Sequence, residues 1–292
     1  MKTILVATDY SENAYQAVEY AACLAQKMHC RLILFHAFES LQTMNTVPAN
    51  PPVVQIIKNH FMIRLEEIRN KLLESFSIEI NCITMEGSVE ALLPSLVDRQ
   101  QADVVVMGIR GASPITHFFM GSTTTTLLRK ATFPMITVPA SYTYHSIRRI
   151  LFASDFEPFV DPTTLLPLRE IAQAYEAMVQ MLYIPSSEKD KATHYSNAYW
   201  EEQLDEIKHG YTFLYEKDII KGIEQEIWNS GADLLVMLPH RHTFFERLLE
   251  RPHTEQMFFR ANIPLLALTD KAIHLNRFSD NNAFFNYMAG ID

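Results

Sequence analysis

The chain has 292 residues, 48% hydrophobic and 20% charged, a composition that suits a globular protein with enough apolar material for two cores. Its net charge of −9 argues against broad binding to nucleic-acid backbones, which requires a basic surface. Three cysteines without a CxxC pair argue against a disulfide framework or a zinc site. No stretch approaches the roughly 20 apolar residues of a membrane span, and the run before Asp9 is too short for a signal peptide, so a cytoplasmic protein is expected.

In chain order, Ile4–Ala7 reads as a buried strand. Ala14, Ala17, Ala21, Leu24 and Met28 then recur at helical spacing behind Ser11 as a candidate N-cap. Arg31–Phe38 is a second strand. An aperiodic stretch to about Asn50 ends in Pro51-Pro52, a helix start, and Ile57, Phe61, Leu65, Ile68 and Leu72 form one long stripe. Ile78, Ile80, Cys82 and Thr84 alternate as a strand. Val89–Asp98 has a helical pattern that Pro94 either kinks or begins. Asp103–Met107 and Met135–Val138 are the last strands of this unit, with Ser122–Lys130 helical between them.

The unit then repeats. Ile4-Leu5-Val6-Ala7-Thr8-Asp9-Tyr10 returns as Ile150-Leu151-Phe152-Ala153-Ser154-Asp155-Phe156, and Ala102–Met107 returns as Ala232–Met237. Phe133–Val138 returns as Ile263–Leu268. Three matches in the same order indicate a tandem duplication with its seam near residues 140–148. The predicted units span residues 1–141 and 148–271, followed by a tail, 272–292. The second unit adds a polar, aromatic insertion around Ser186–Tyr199. Alternating strands and helices imply mainly parallel sheets covered on both faces.

Three of the chain's eight glycines lie in one segment after the Asp103–Met107 strand: Gly108, Gly111 and Gly121, the last followed by Ser122. Glycines there let backbone amides approach an anion, and a helix N-terminus at Gly121-Ser122 favours a phosphate. Arg110, Ser122 and Thr123 add a cation and hydroxyls.

These residues, with Ile4–Asp9, Asp103–Gly108 and the Phe133-Pro134…Val138 ending, make the chain resemble the universal stress protein family in its tandem form, over nearly the whole length. The resemblance implies two tandem Rossmann-like (adenine nucleotide alpha hydrolase-like) domains. Each would be an open five-stranded parallel sheet of order 3-2-1-4-5 with helices on both faces. In this family the G-x2-G-x9-G-[S/T] pattern distinguishes members that bind ATP. Ligands of open sheets sit where strand order reverses, here between the first and fourth strands.

By motif position, the resemblance places Ala7, Thr8 and Asp9 against adenine and ribose. It has His36 and Ala37 closing the side, and Met107 and Gly108 beginning the opposite wall. Arg110, Gly111, Gly121, Ser122 and Thr123 then surround the phosphates. Two alternatives stay open: Asp9 as the partner of the following helix N-terminus, and His36 as a packing residue. The expected cofactor is ATP, with AMP and ADP undistinguished and Mg²⁺ as a companion of the phosphates. The expected partners are the nucleotide and the other half of the chain, in an intramolecular pseudo-dimer through the last strands, with a homodimer as a further assembly.

Aligning Asp233 with Asp103 puts Leu238, Arg241, Arg251 and Pro252 where the first unit has Gly108, Gly111, Gly121 and Ser122. That loop cannot cradle a phosphate in the same way, since three side chains and a proline replace it. His240, His242 and His253 have no cysteine or carboxylate at a recognised ligand spacing, so no metal site is assigned. No catalytic residue is assigned either: the glycine loop holds no carboxylate, and His117 is its one obvious base. The leading reading is a nucleotide-dependent stress-response protein. A slow ATPase and a nucleotide-free adaptor are the alternatives.

Overall fold

The computed structural model describes residues 1–39, 51–109, 122–130, 132–154, 156, 161–184, 197–216, 218–237 and 262–269. The first half alternates β1 (Thr3–Ala7), α1 (Glu12–Met28), β2 (Arg31–Phe38), α2 (Pro51–Leu73) and β3 (Ile80–Glu86). It continues with α3 (Val89–Gln100), β4 (Val104–Ile109), α4 (Ser122–Lys130) and β5 (Met135–Pro139). The second half has β6 (Arg149–Ala153), a 3-10 turn (Pro162–Leu165), α5 (Leu166–Tyr175) and β7 (Met178–Tyr183). There follow α6 (Asn197–Gln203), β8 (His209–Phe213), α7 (Ile219–Ser230), β9 (Leu234–Met237) and β10 (Leu265–Ala267).

The ten strands among the described residues join one sheet in the order β3-β2-β1-β4-β5-β10-β9-β6-β7-β8. Each half is a five-stranded parallel sheet of the expected order. The halves meet where β5 and β10 pair antiparallel, Thr137 opposite Leu265 and Met135 opposite Ala267. Every residue of β1, β5, β9 and β10 is buried, because helices cover both faces. One core cluster holds β1, α1, β6 and α5 residues such as Ile4, Leu24, Ile150 and Leu168. The other, on the opposite face, holds Leu5, Leu96, Leu151 and Ile223. Both cores therefore run across the junction.

Local chemistry explains the element boundaries. Ser11 caps α1, its hydroxyl accepting from the Ala14 amide, and His29 ends the helix in the left-handed region. Ser88 caps α3 in the same way, so the helix starts there and Pro94 lies inside it, where it removes one helical hydrogen bond.

The repeated sequence motifs are repeated contacts. Asp103 Oδ2 accepts from the Lys2 and Thr3 amides at 2.6 and 2.9 Å, and Asp233 Oδ2 accepts from Arg148 and Arg149 at 2.7 and 2.9 Å. Each aspartate thus ties the start of one central strand to its neighbour. At the other strand ends, the Thr8 hydroxyl accepts from the Tyr10 amide and the Ser154 hydroxyl from the Phe156 amide, both at 3.1 Å. Tyr10 and Phe156 both take left-handed φ values, 64° and 63°, which turn their rings back over the sheet.

The halves differ in their helices. Among the described residues α1 has 17 and α2 has 23, whereas their counterparts α5 and α6 have 10 and 7. α5 also begins well after the end of β6, behind the 3-10 turn.

Candidate functional site

A cleft of about 300 Å³ opens at the carboxyl ends of β1 and β4, where strand order reverses. Of the residues singled out in the sequence, Ala7, Thr8, Asp9, Ala37, Met107, Gly108 and Thr123 line it. Arg110, Gly111 and Gly121 lie outside the described residues, and Ser122 is the first residue of α4.

Of the two readings of His36, the surroundings of its side chain fit the packing one, since it is not among the described residues that line the cleft. Phe35 and Ala37 face the cleft, so the alternation of β2 sends His36 to the opposite face. There its ring centroid lies 4.4 Å from those of both Tyr10 and Phe61. His36 Nδ1–H donates to the Thr8 carbonyl at 2.8 Å, and burial lowers the imidazole pKa below its ordinary value, so the neutral ring with Nδ1 protonated is favoured.

The sequence reading did not single out Asn13, Ala14, Phe35, Val89 or Thr124 as cleft residues, and it had Ser11 only as a cap. The first turn of each helix that follows a parallel strand comes to this edge. That signal was available in the N-caps Ser11 and Ser88, but which turns converge depends on strand order.

Gly108 has a packing role as well as a place in the cleft wall. A Cβ there would lie 2.7 Å from the Asn13 carbonyl oxygen and 3.2 Å from Ala14 Cα. The end of β4 and the start of α1 are in backbone contact, and only glycine permits it. The Gly108 carbonyl also accepts from the buried Thr124 hydroxyl at 3.4 Å, joining α4 to the same point.

The cleft therefore has two kinds of wall. Ala7, Phe35, Ala37, Val89 and Met107 form an apolar side suited to a planar ring. The N-terminal turns of α1 (Asn13, Ala14) and α4 (Thr123, Thr124) line the cleft as well, and their amide ends favour an anion. Asp9 is the one carboxylate among the described lining residues. It is exposed, and its Oδ1 accepts from the Ser11 amide at 2.9 Å, which fixes the turn leading into α1. Among the described residues no cluster of three or more His, Cys, Asp or Glu could hold a metal. No described helix is long and apolar enough to cross a membrane.

The sequence profile of the universal stress protein family matches residues 1–139. A universal stress protein of Thermus aquaticus is 27% identical over 139 residues, 47% of this chain and 98% of its own. One from Methanocaldococcus jannaschii is 20% identical over 140 residues, 47% of this chain and 81% of its own. The crystal structure of a universal stress protein from Archaeoglobus fulgidus superposes with a TM-score of 0.72 at 16% identity, covering 92% of this chain and 98% of that one, a likeness of fold across both halves. The family profile thus covers the first half, residues 1–139, and the second half repeats the same strand order, so the chain is similar to universal stress proteins in a tandem arrangement.

Proposed function

We propose that the first half binds an adenine nucleotide, ATP foremost, and that the chain acts as a nucleotide-dependent regulatory protein of the stress response. The observation that carries this reading is the pairing of an apolar slot with two converging helix N-termini in one cleft at the switch point. The base would occupy the slot between Ala37, Val89 and Met107. The ribose would lie near Asp9, and the phosphates near Thr123 and the loop that carries Arg110, Gly111, Gly121 and Ser122. Gly108 suits this arrangement, since the chain there approaches the start of α1 with no side chain between.

Asp9 is the only described carboxylate at the cleft, too few for an all-protein magnesium site, so Mg²⁺ would come with the phosphates. Phosphoryl transfer also needs a group that positions water. The glycine loop holds no carboxylate and only His117 as an obvious base, and the described lining adds Asp9 alone, so regulation is preferred here over hydrolysis.

The second half is read as a partner without nucleotide. Leu238, Arg241, Arg251 and Pro252 replace the loop residues, and the described start of α5 comes only at Leu166, behind a 3-10 turn. In this reading units 1–141 and 148–271 behave as an intramolecular pseudo-dimer through β5 and β10, with residues 272–292 as a tail.

The test is to denature freshly purified protein, identify the released small molecules by mass spectrometry, and titrate ATP into the stripped protein. Released adenine nucleotide, or saturable ATP binding, supports the reading. A protein that carries none and ignores ATP overturns it.

A further inference from the structure

Two cavities share a wall. The cleft lies on one side of the turn Thr8–Ser11, and a second cavity of about 200 Å³ lies on the other, between the turn and α2. Thr8 and Ser11 line both. The turn is therefore backed by space rather than by packed core, which leaves it room to shift.

Tyr10 bridges that space. Its left-handed backbone turns the ring away from the cleft, where it stacks on Phe61 of α2 at 5.9 Å between centroids and an interplanar angle of 10°. The Arg64 guanidinium lies over the same ring, 4.0 Å from its centroid. The Tyr10 hydroxyl donates to the Phe61 carbonyl at 2.9 Å. Burial raises the phenol pKa far above its ordinary value, so the hydroxyl remains a donor. His36 adds a second tie, from the Thr8 carbonyl to the face of the same ring stack.

The other end of this bridge is weakly held. Between Pro51 and Arg64 no residue of α2 is buried, and Leu65 is the first that is. Phe61, packed on Tyr10, His36 and Phe38, is accordingly the main aromatic anchor of that half of the helix. The same half exposes Val53, Ile56 and Ile63.

We infer that Tyr10 is a positioning residue that transmits the filling of the cleft to α2: a ligand pressing on Thr8 and Asp9 shifts the turn, and Tyr10 carries the shift to Phe61. This rests on the nucleotide reading above and names the element that the nucleotide would control. The coupling requires that the ligand interact differently with two positions of the turn.

Hydrogen exchange read by mass spectrometry on the full chain, with ATP affinity measured calorimetrically in the same samples, tests it. ATP is expected to slow exchange in peptides covering Ile57–Ile68 of the unmodified chain by about fivefold, the scale of one hydrogen bond. Tyr10→Phe should bind ATP with little change in affinity and lose most of that slowing; Arg64→Met, which strips the ring of its cation, should weaken it. ATP binding that leaves α2 exchange unchanged, or a Tyr10→Phe chain that keeps the full response, overturns the relay while the nucleotide reading stands. If the unmodified chain binds no ATP, both fall. Should Tyr10→Phe not fold, Arg64→Met decides by the same comparison.

Discussion

Gly108 at the end of β4 and Asn13 in the first turn of α1 are in backbone contact: any Cβ at Gly108 would lie 2.7 Å from the Asn13 carbonyl oxygen. Relief would require β4 or α1 to move, since the obstacle is main chain. Gly108→Ala is expected to destabilise the protein by about 1–3 kcal/mol, the usual cost of overpacking. It should also weaken ATP binding, because the displaced elements are both walls of the cleft. Urea denaturation compared with calorimetric titration checks the two effects; unchanged stability would show that the contact is easily relieved.

Asp103 and Asp233 should behave alike although different roles are proposed for their halves. Each carboxylate accepts two strand-initiating amides, so Asp103→Ala and Asp233→Ala should each cost about 1–2 kcal/mol. Both lie at the amino ends of their strands, away from the cleft at the carboxyl ends of β1 and β4, so neither substitution should change ATP affinity much. Asp233 also accepts from His145 Nε2, so its loss frees one further partner. Equilibrium unfolding of the two variants side by side measures this.

His36 gives stability a pH dependence. Its pKa is lowered in the folded chain, first by burial, with the Thr8 carbonyl opposing the shift. The unfolded chain therefore binds more protons between the folded value and about 6.5, and stability rises with pH through that window. The contribution is fully present above about 6.5 and is lost as pH falls through the window toward the folded pKa. His36→Gln, which keeps an N–H for Thr8 but does not titrate, should flatten that part of the curve. An unaltered slope in thermal melts across acidic pH would assign it to other groups.

Gly121→Val tests the loop directly. The substitution places a branched side chain at the position assigned to phosphate, so ATP binding should be lost while the circular dichroism spectrum and melting temperature stay close to those of the unmodified chain. Retained affinity would move the phosphates elsewhere.

Much of the fold was legible because the duplication repeats contacts as well as letters. The Asp103/Asp233 and Thr8/Ser154 pairs recur in sequence since each performs the same hydrogen bonding at the same point of its sheet. The Ser11 cap and the helix Ser122–Lys130 were equally readable, from local signals. The facing of His36 was left open between two readings, because a nearly continuous buried run lacks the apolar-polar alternation that distinguishes a strand's faces. The contact that explains Gly108 was not legible, since it joins residues about a hundred positions apart and exists only once β4 lies beside β1. Asn13 and Thr124 entered the cleft for the same reason. They sit on first turns whose convergence is a property of strand order.

The central claim is an asymmetry, one nucleotide site in a chain built from two copies of one unit. The measurement that tests it most directly is the stoichiometry of ATP binding to the stripped 292-residue chain, by calorimetry with an independently determined protein concentration. One nucleotide per chain is the predicted result. None would remove the site in the first half, and two would show that the second half, despite Leu238, Arg241, Arg251 and Pro252, binds nucleotide as well.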